Sequence, residues 1–206
     1  MSRWAPDARG RLQAAAMELF RERGYDETTV AGIAERAGLT ERTFFRHFAD
    51  KREVLFSGQE QLQAAFLDAV EAADLGVEPL AVAVGALEAA GPFFADRLEF
   101  ARLRQGVIDA HPALQERELI KMASLAAALA AALRGRGAGE PAASLAAEHA
   151  ISVFRVAFAR WLEAPGPSDL VDQVRAAQAE IVAMLRDWSA EAEEASALGG
   201  EGRGRR

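Results

Sequence analysis

The chain has 206 residues, half of them hydrophobic and 27% charged, which is enough to bury a core and is not the composition of a disordered chain. It contains no Cys and only three scattered His (His47, His111 and His149), which excludes disulfides, thiolate catalysis and iron–sulfur clusters and argues against a metal centre; no cofactor is expected. The N-terminus lacks the apolar stretch of a signal peptide, and no uninterrupted run reaches the roughly 20 apolar residues that span a bilayer, so the expectation is a cytoplasmic protein with no membrane partner.

The net charge of −7 hides an asymmetry. Residues 1–56 hold ten Lys or Arg against nine Asp or Glu, whereas the remaining 150 hold 14 against 22. Local clustering of arginine, more than the overall balance, decides whether phosphate can be bound.

In chain order, every element reads as helix. Ala, Leu, Glu, Arg and Gln dominate, and runs of β-branched residues with period two are missing. A first helix is predicted over 7–23, with Leu12, Ala15, Ala16, Leu19 and Phe20 on one face and Gly24 as its stop. Thr28 or Thr29 caps a short helix to 37. Gly38-Leu39 forms a tight turn, and Thr40 caps a third helix to 47. Asp50-Lys51-Arg52-Glu53 has the form of a capping box opening a long helix over 51–73, with Gly58 inside it. Further helices are predicted over 78–90, 91–105 with a short piece to 110, 112–134, 141–163 and 169–190. The Gly-rich 135–139 loop and the Pro-Gly-Pro turn at 165–167 separate the last three, and residues 191–206 read as a disordered tail. The fold class is therefore all-α, with about nine helices. The predicted division is a helix-turn-helix head over 1–50, a helical body over 51–190, and the tail.

Residues 28–48, TTVAGIAERAGLTERTFFRHF, carry the chemistry. Two short helices joined by a Gly-containing turn, behind a longer helix, describe a helix-turn-helix unit. On a wheel of the third helix, Phe44 and Phe48 share the face that points to the core. Arg42 and Arg46 point away from it, flanked by Thr43 and Phe45. Guanidinium forks match guanine O6/N7 or phosphate oxygens, and an exposed Phe suits a thymine methyl. Thr40 and Thr43 can donate to phosphate or base edges, and His47 and Lys51 sit where the chain leaves a groove.

Residues 12–56 resemble the N-terminal domain of TetR/AcrR-type regulators. The matching features are Ala16-x-x-Leu19-Phe20, Gly24-Tyr25, Thr28-Thr29, Ile33-Ala34, Ala37-Gly38, Phe44, Phe48 and Lys51, in that order. The resemblance implies a homodimer that reads a pseudo-palindromic double-stranded operator, usually represses, and is released by a small molecule held in the larger domain. It also places Thr29, Thr40, Arg42, Thr43, Phe45, His47 and Lys51 on positions that touch DNA, with Arg46 added from the wheel. Arg42 stands where many members carry Gly, and Phe45 and Arg46 stand where Tyr is common; the Arg-Thr-Phe-Phe-Arg form looks like the actinobacterial type. The segment 103–133 weakly resembles mycofactocin-type, acyl-CoA-responsive regulators, a hint toward a lipophilic or acyl-CoA-like effector.

In the body, Phe66, Val84, Leu87, Phe94, Leu98, Arg102, Met122 and Phe158 are the candidate effector residues, with plain core as the alternative for each apolar one and solvent exposure for Arg102. An Ala-rich stripe on the last two long helices (Ala146, Ala150, Val153, Ala157 and Trp161, then Val174, Ala177 and Ile181) is the candidate dimer interface, with packing inside one protomer as the alternative. An enzyme is not expected. Gly135-x-Gly-x-Gly follows a helix, not a strand, and neither Gly-x-Ser-x-Gly nor His-Glu-x-x-His occurs. The competing reading is a helical structural bundle without specific DNA binding.

Overall fold

The computed structural model describes residues 7–166 and 168–201, with side chains as far as residue 191. Eleven helices and no strand occur among the described residues. A head is built from α1 (Ala8–Arg23), α2 (Val30–Arg36) and α3 (Glu41–His47). The short α4 (Lys51–Leu55) joins it to a body of α5 (Gln59–Ala72), α6 (Pro79–Ala89), α7 (Gly91–Phe94), α8 (Leu98–Asp109), α9 (Pro112–Gly135), α10 (Ala142–Glu163) and α11 (Leu170–Glu201).

The excess over nine helices has two causes. The helix predicted over 51–73 breaks at Phe56-Ser57-Gly58, where Gly58 takes φ +100°, a left-handed value that would strain any other residue. The helix predicted over 91–105 is cut at residues 95–97, so α7 has one turn and α8 starts afresh at Leu98. At the other end, α11 continues to Glu201, so residues 191–201 are helical and not the tail predicted there; residues 202–206 lie outside the described residues.

Local chemistry accounts for the ends. Thr29, Thr40 and Asp50 cap α2, α3 and α4 by accepting from the backbone N–H of Gly32, Thr43, and both Arg52 and Glu53. Glu53 does not close the predicted box; its carboxylate pairs instead with Arg117 of α9.

Two cores result. Leu12, Ala16, Leu19, Phe20, Ile33, Phe44 and Phe48 fill the head, and Val107, Ile108 and Leu114 of α8 and α9 join the same cluster. The head is thus seated on the body, not tethered to it. Burying Phe44 completely contributes about 1.5–3 kcal/mol. The second core surrounds α10, which packs on α6, α9 and α11 through Ala143, Ala147, Ala150 and Ala157, all at zero exposure. By length and composition α10 is apolar enough to cross a membrane, but its apolar face is the centre of the body and Glu148 and Arg155 interrupt the run, as expected from the sequence.

Candidate nucleic-acid interface and effector cavity

The reversal between α2 and α3 rests on Gly38, at φ +65°. A Cβ there would stand 3.1 Å from Nη2 of Arg11, which donates to the carbonyl of Ala37 at the end of α2. With α2 held on α1, α3 lies across the front of the head. Phe44 is buried and Phe48 nearly so, while Arg42, Phe45 and Arg46 face solvent. Phe45 is 56% exposed and leans edge-on against Phe44, with ring centroids 5.5 Å apart, so its position is fixed by the core beneath. Thr29 and Thr40 are exposed caps; Thr40 Oγ1 also lies 3.0 Å from the half-buried Thr43's hydroxyl. His47 is half-buried at the end of α3.

The arginines that cluster in the sequence have different fates in space. Arg36 forms a fork with Glu22 (2.8 Å) and reaches Glu18 (3.2 Å), tying α2 to α1; the pair holds the Glu22 carboxyl below its usual range. Arg52 folds back on Asp50, and Arg9 donates to Ser57 while covering Phe48. Arg42 and Arg46 make no ion pair or side-chain hydrogen bond among the described residues. The outer face of α3 therefore presents two unneutralised guanidinium groups beside an exposed aromatic ring.

Lys51 departs from its expected place. Its ammonium donates to the carbonyls of Tyr25 (2.8 Å), Asp26 (3.2 Å) and Thr28 (3.1 Å) and sits 4.3 Å from the Tyr25 ring centroid. All three N–H groups are used, so a phosphate contact would require breaking this staple. The lysine holds the turn between α1 and α2 onto α4. His111 completes that anchorage: Nδ1 is 2.7 Å from the Val107 carbonyl, Nε2 is 3.4 Å from Asp26, and the ring packs edge-on against Tyr25.

Behind the α4–α5 break lies a cavity of about 100 Å³, framed by Phe56, Phe93, Phe94, Phe100, Phe154 and Phe158 with Leu62 and Met122. Of the expected effector residues, Phe94, Met122 and Phe158 line it. Phe66, Val84 and Leu87 are body core, and Leu98 and Arg102 line a separate open groove beside α7 and α11. Arg102 is committed to the carbonyls of Leu162 and Ala164 (2.8 and 2.6 Å) and to Glu99. Phe93 and Arg104, an apolar and a cationic candidate by sequence, also line the cavity, whereas Phe56 carries no signal of its own beyond the neighbouring Gly58. Arg104 donates to the Leu55 carbonyl (2.6 Å) and pairs with Glu118 (2.6 Å), and together with Arg117 and Lys121 it surrounds the Phe56 ring within 5.5 Å. Burial there and the neighbouring Arg117 lower the pKa of Lys121.

The expected dimer stripe lies inside one protomer, the alternative that its Ala-rich spacing left open. Ala146, Ala150, Val153, Ala157, Trp161, Val174 and Ala177 are all at most 4% exposed within one protomer, and Ile181 is half-buried in the same core. They pack into the body core around α10 and α11 within one protomer. What remains open is the opposite side: Leu145 and Val156 on α10, and Met184, Leu185 and Trp188 on α11, between 47% and 68% exposed.

Comparison with known proteins bears on both halves. Residues 12–57 match the family model described as bacterial regulatory proteins, tetR family, and residues 77–186 match the MftR C-terminal domain. The chain is 44% identical over 81 residues to the transcriptional regulator TcmR of Streptomyces glaucescens, covering 39% of this chain and 36% of that one. It is 40% identical over 60 residues to the repressor KstR2 of Mycobacterium tuberculosis, covering 29% and 28%. The match thus spans about a third of the length of these relatives. Two solved structures share the fold: FadR of Bacillus subtilis in complex with stearoyl-CoA (TM-score 0.55, 18% identity, 82% of this chain and 94% of that one) and the fatty acid degradation regulator FadR of Bacillus halodurans (TM-score 0.56, 18% identity, 85% and 94%).

Proposed function

Because the chain belongs to the tetR family of bacterial regulatory proteins, we propose that it is a transcriptional regulator that binds an operator as a homodimer and is released by a lipophilic small molecule. The observation that carries this reading is the outer face of α3, where Arg42, Phe45 and Arg46 are exposed and both guanidinium groups lack partners. In a helix-turn-helix the N-terminal part of the recognition helix meets base edges, which assigns Arg42 to a base and Arg46, one turn later, to a phosphate. Thr29, Thr40, Thr43 and His47 flank them on the backbone.

Residues up to 50 serve as the DNA-binding head and those from 51 as the effector and dimer body, acting in the cytoplasm with the DNA. A second copy covers Leu145, Val156, Met184, Leu185 and Trp188, giving two heads for two half-sites. The FadR bound to stearoyl-CoA shows that this fold can hold an acyl ligand, which supports an apolar effector here. The cavity touches Leu55 and Phe56 at the end of α4, so a ligand filling it pushes on the element that seats the head. The Arg104 bond to Leu55 and the Glu53–Arg117 pair are the connections that such a push alters. By linkage, operator and effector then weaken each other by the same factor.

Footprinting on the DNA flanking its own coding region tests this. Two protected half-sites with centres about 34–36 Å apart, or a multiple of that, support the reading. Uniform protection, or none at low salt, overturns it in favour of a helical bundle.

A further inference from the structure

The cavity has on its wall one cationic side chain that no acidic group or hydrogen-bond acceptor among the described residues engages. Arg97 lines it, and its guanidinium carbon lies over the Phe93 ring, 4.4 Å from the centroid. A cation held over a ring is attracted by its quadrupole and not by a hydrogen bond, so the five N–H donors of the guanidinium stay available to an acceptor. Among the described residues Arg97 has no ion pair and no side-chain hydrogen bond. The neighbouring Asp96, at φ +58°, lines the separate groove by α7 and α11 and not this cavity. The other cation on the cavity wall, Arg104, is occupied by Glu118 and the Leu55 carbonyl.

The interior beside Arg97 is apolar and small. At about 100 Å³ it falls below the roughly 300 Å³ at which drug-sized pockets begin, and is of the order of a cavity that takes a single benzene. Phe93 links the two features, since one of its faces carries Arg97 and its edge reaches the α4–α5 joint. A Cβ on Gly58 would stand 3.2 Å from Phe93 Cζ.

We propose that the effector is a small apolar acid, its ring-sized or short branched body inside the phenylalanine cage and its carboxylate held by the fork of Arg97. The proposal rests on the regulator reading and names the ligand class for its cavity. Phe93 is then the piece that feels the ligand, pressed from inside and anchored by Arg97, and it transmits the load to Gly58.

The test uses the full chain and two matched probe pairs, phenylacetate with phenylacetamide and 3-phenylpropanoate with its amide, titrated by ligand-observed NMR. The expected result is that the acid of at least one pair binds ten-fold or more tightly than its amide. Arg97→Gln removes that preference while leaving amide binding within two-fold, and Arg97→Lys restores part of it. Phe158→Trp, which fills the cage, abolishes binding of both members. Equal binding of acid and amide, an acid preference that survives Arg97→Gln, or no binding of any probe overturns the proposal. Operator affinity measured on the same samples without probe separates the two claims. Its persistence with any of those outcomes leaves the regulator reading standing, and its loss in unmodified protein sinks that reading independently.

Discussion

Replacing Arg46 by alanine removes a guanidinium that has no partner within the protomer, so its effect on folding is small and its effect on DNA is electrostatic. Each phosphate neutralised adds about 0.9 to the slope of log affinity against log salt. A dimer loses two such contacts, about 1.8 in slope, so the fourfold rise from 50 to 200 mM salt should weaken the variant roughly 12-fold less than the parent. Arg42→Ala should instead leave the slope nearly intact and cost about 1–3 kcal/mol per half-site at one base position. Arg36→Ala is the internal control, since that arginine is already neutralised by Glu18 and Glu22. Fluorescence anisotropy with an operator duplex and a scrambled duplex, over a salt series, reads all three. The assignment is refuted if Arg36→Ala lowers the slope as much as Arg46→Ala does, or if Arg46→Ala leaves it unchanged.

Phe44→Ala should destabilise the head by about 3–5 kcal/mol in denaturant unfolding, whereas the 56% exposed Phe45→Ala should stay within about 1 kcal/mol yet weaken operator binding. Lys51→Met removes three charge-assisted hydrogen bonds; hydrogen exchange should speed up at residues 25–28 and operator affinity should fall with no change in salt slope. The Glu22 carboxyl titrates below its usual 4.5, so the Arg36 fork stabilises the α1–α2 contact above that value and the gain is lost as pH falls through the lowered one. Arg36→Ala should flatten the acid side of the head's stability profile, measured by circular dichroism from pH 6 to 3. Trp188→Glu, on the exposed stretch of α11, should shift the protein from dimer to monomer in analytical ultracentrifugation, while Ala150→Glu should unfold the body.

Much of the fold was legible because helix signals are local. Threonine caps, the Gly38 turn and the periodic Leu12–Phe20 face each act within a turn or two of chain, and the wheel of α3 placed Phe44 inward and Arg42 and Arg46 outward, as observed. The errors have a shared cause. Lys51 and Arg102 are cations in the sequence, but whether a cation is free depends on carbonyls and carboxylates brought near by tertiary packing. The alanine stripe of α10 and α11 permits close helix approach but does not say which helix approaches; α6, α9 and the two helices themselves use it up inside one protomer. Gly58 could be noticed, but periodicity on both sides of it ran on unbroken, and only the backbone reveals a left-handed residue there.

Cross-linking from α3 itself addresses the main proposition most directly. With p-benzoylphenylalanine in place of Phe45, irradiation of the protein on its footprinted operator should join that residue to a base in each half-site, while the same group in place of the exposed Leu75, in the loop after α5, should give no adduct. Equal labelling from both positions, or labelling from Leu75 alone, would contradict the seating of α3 in the groove.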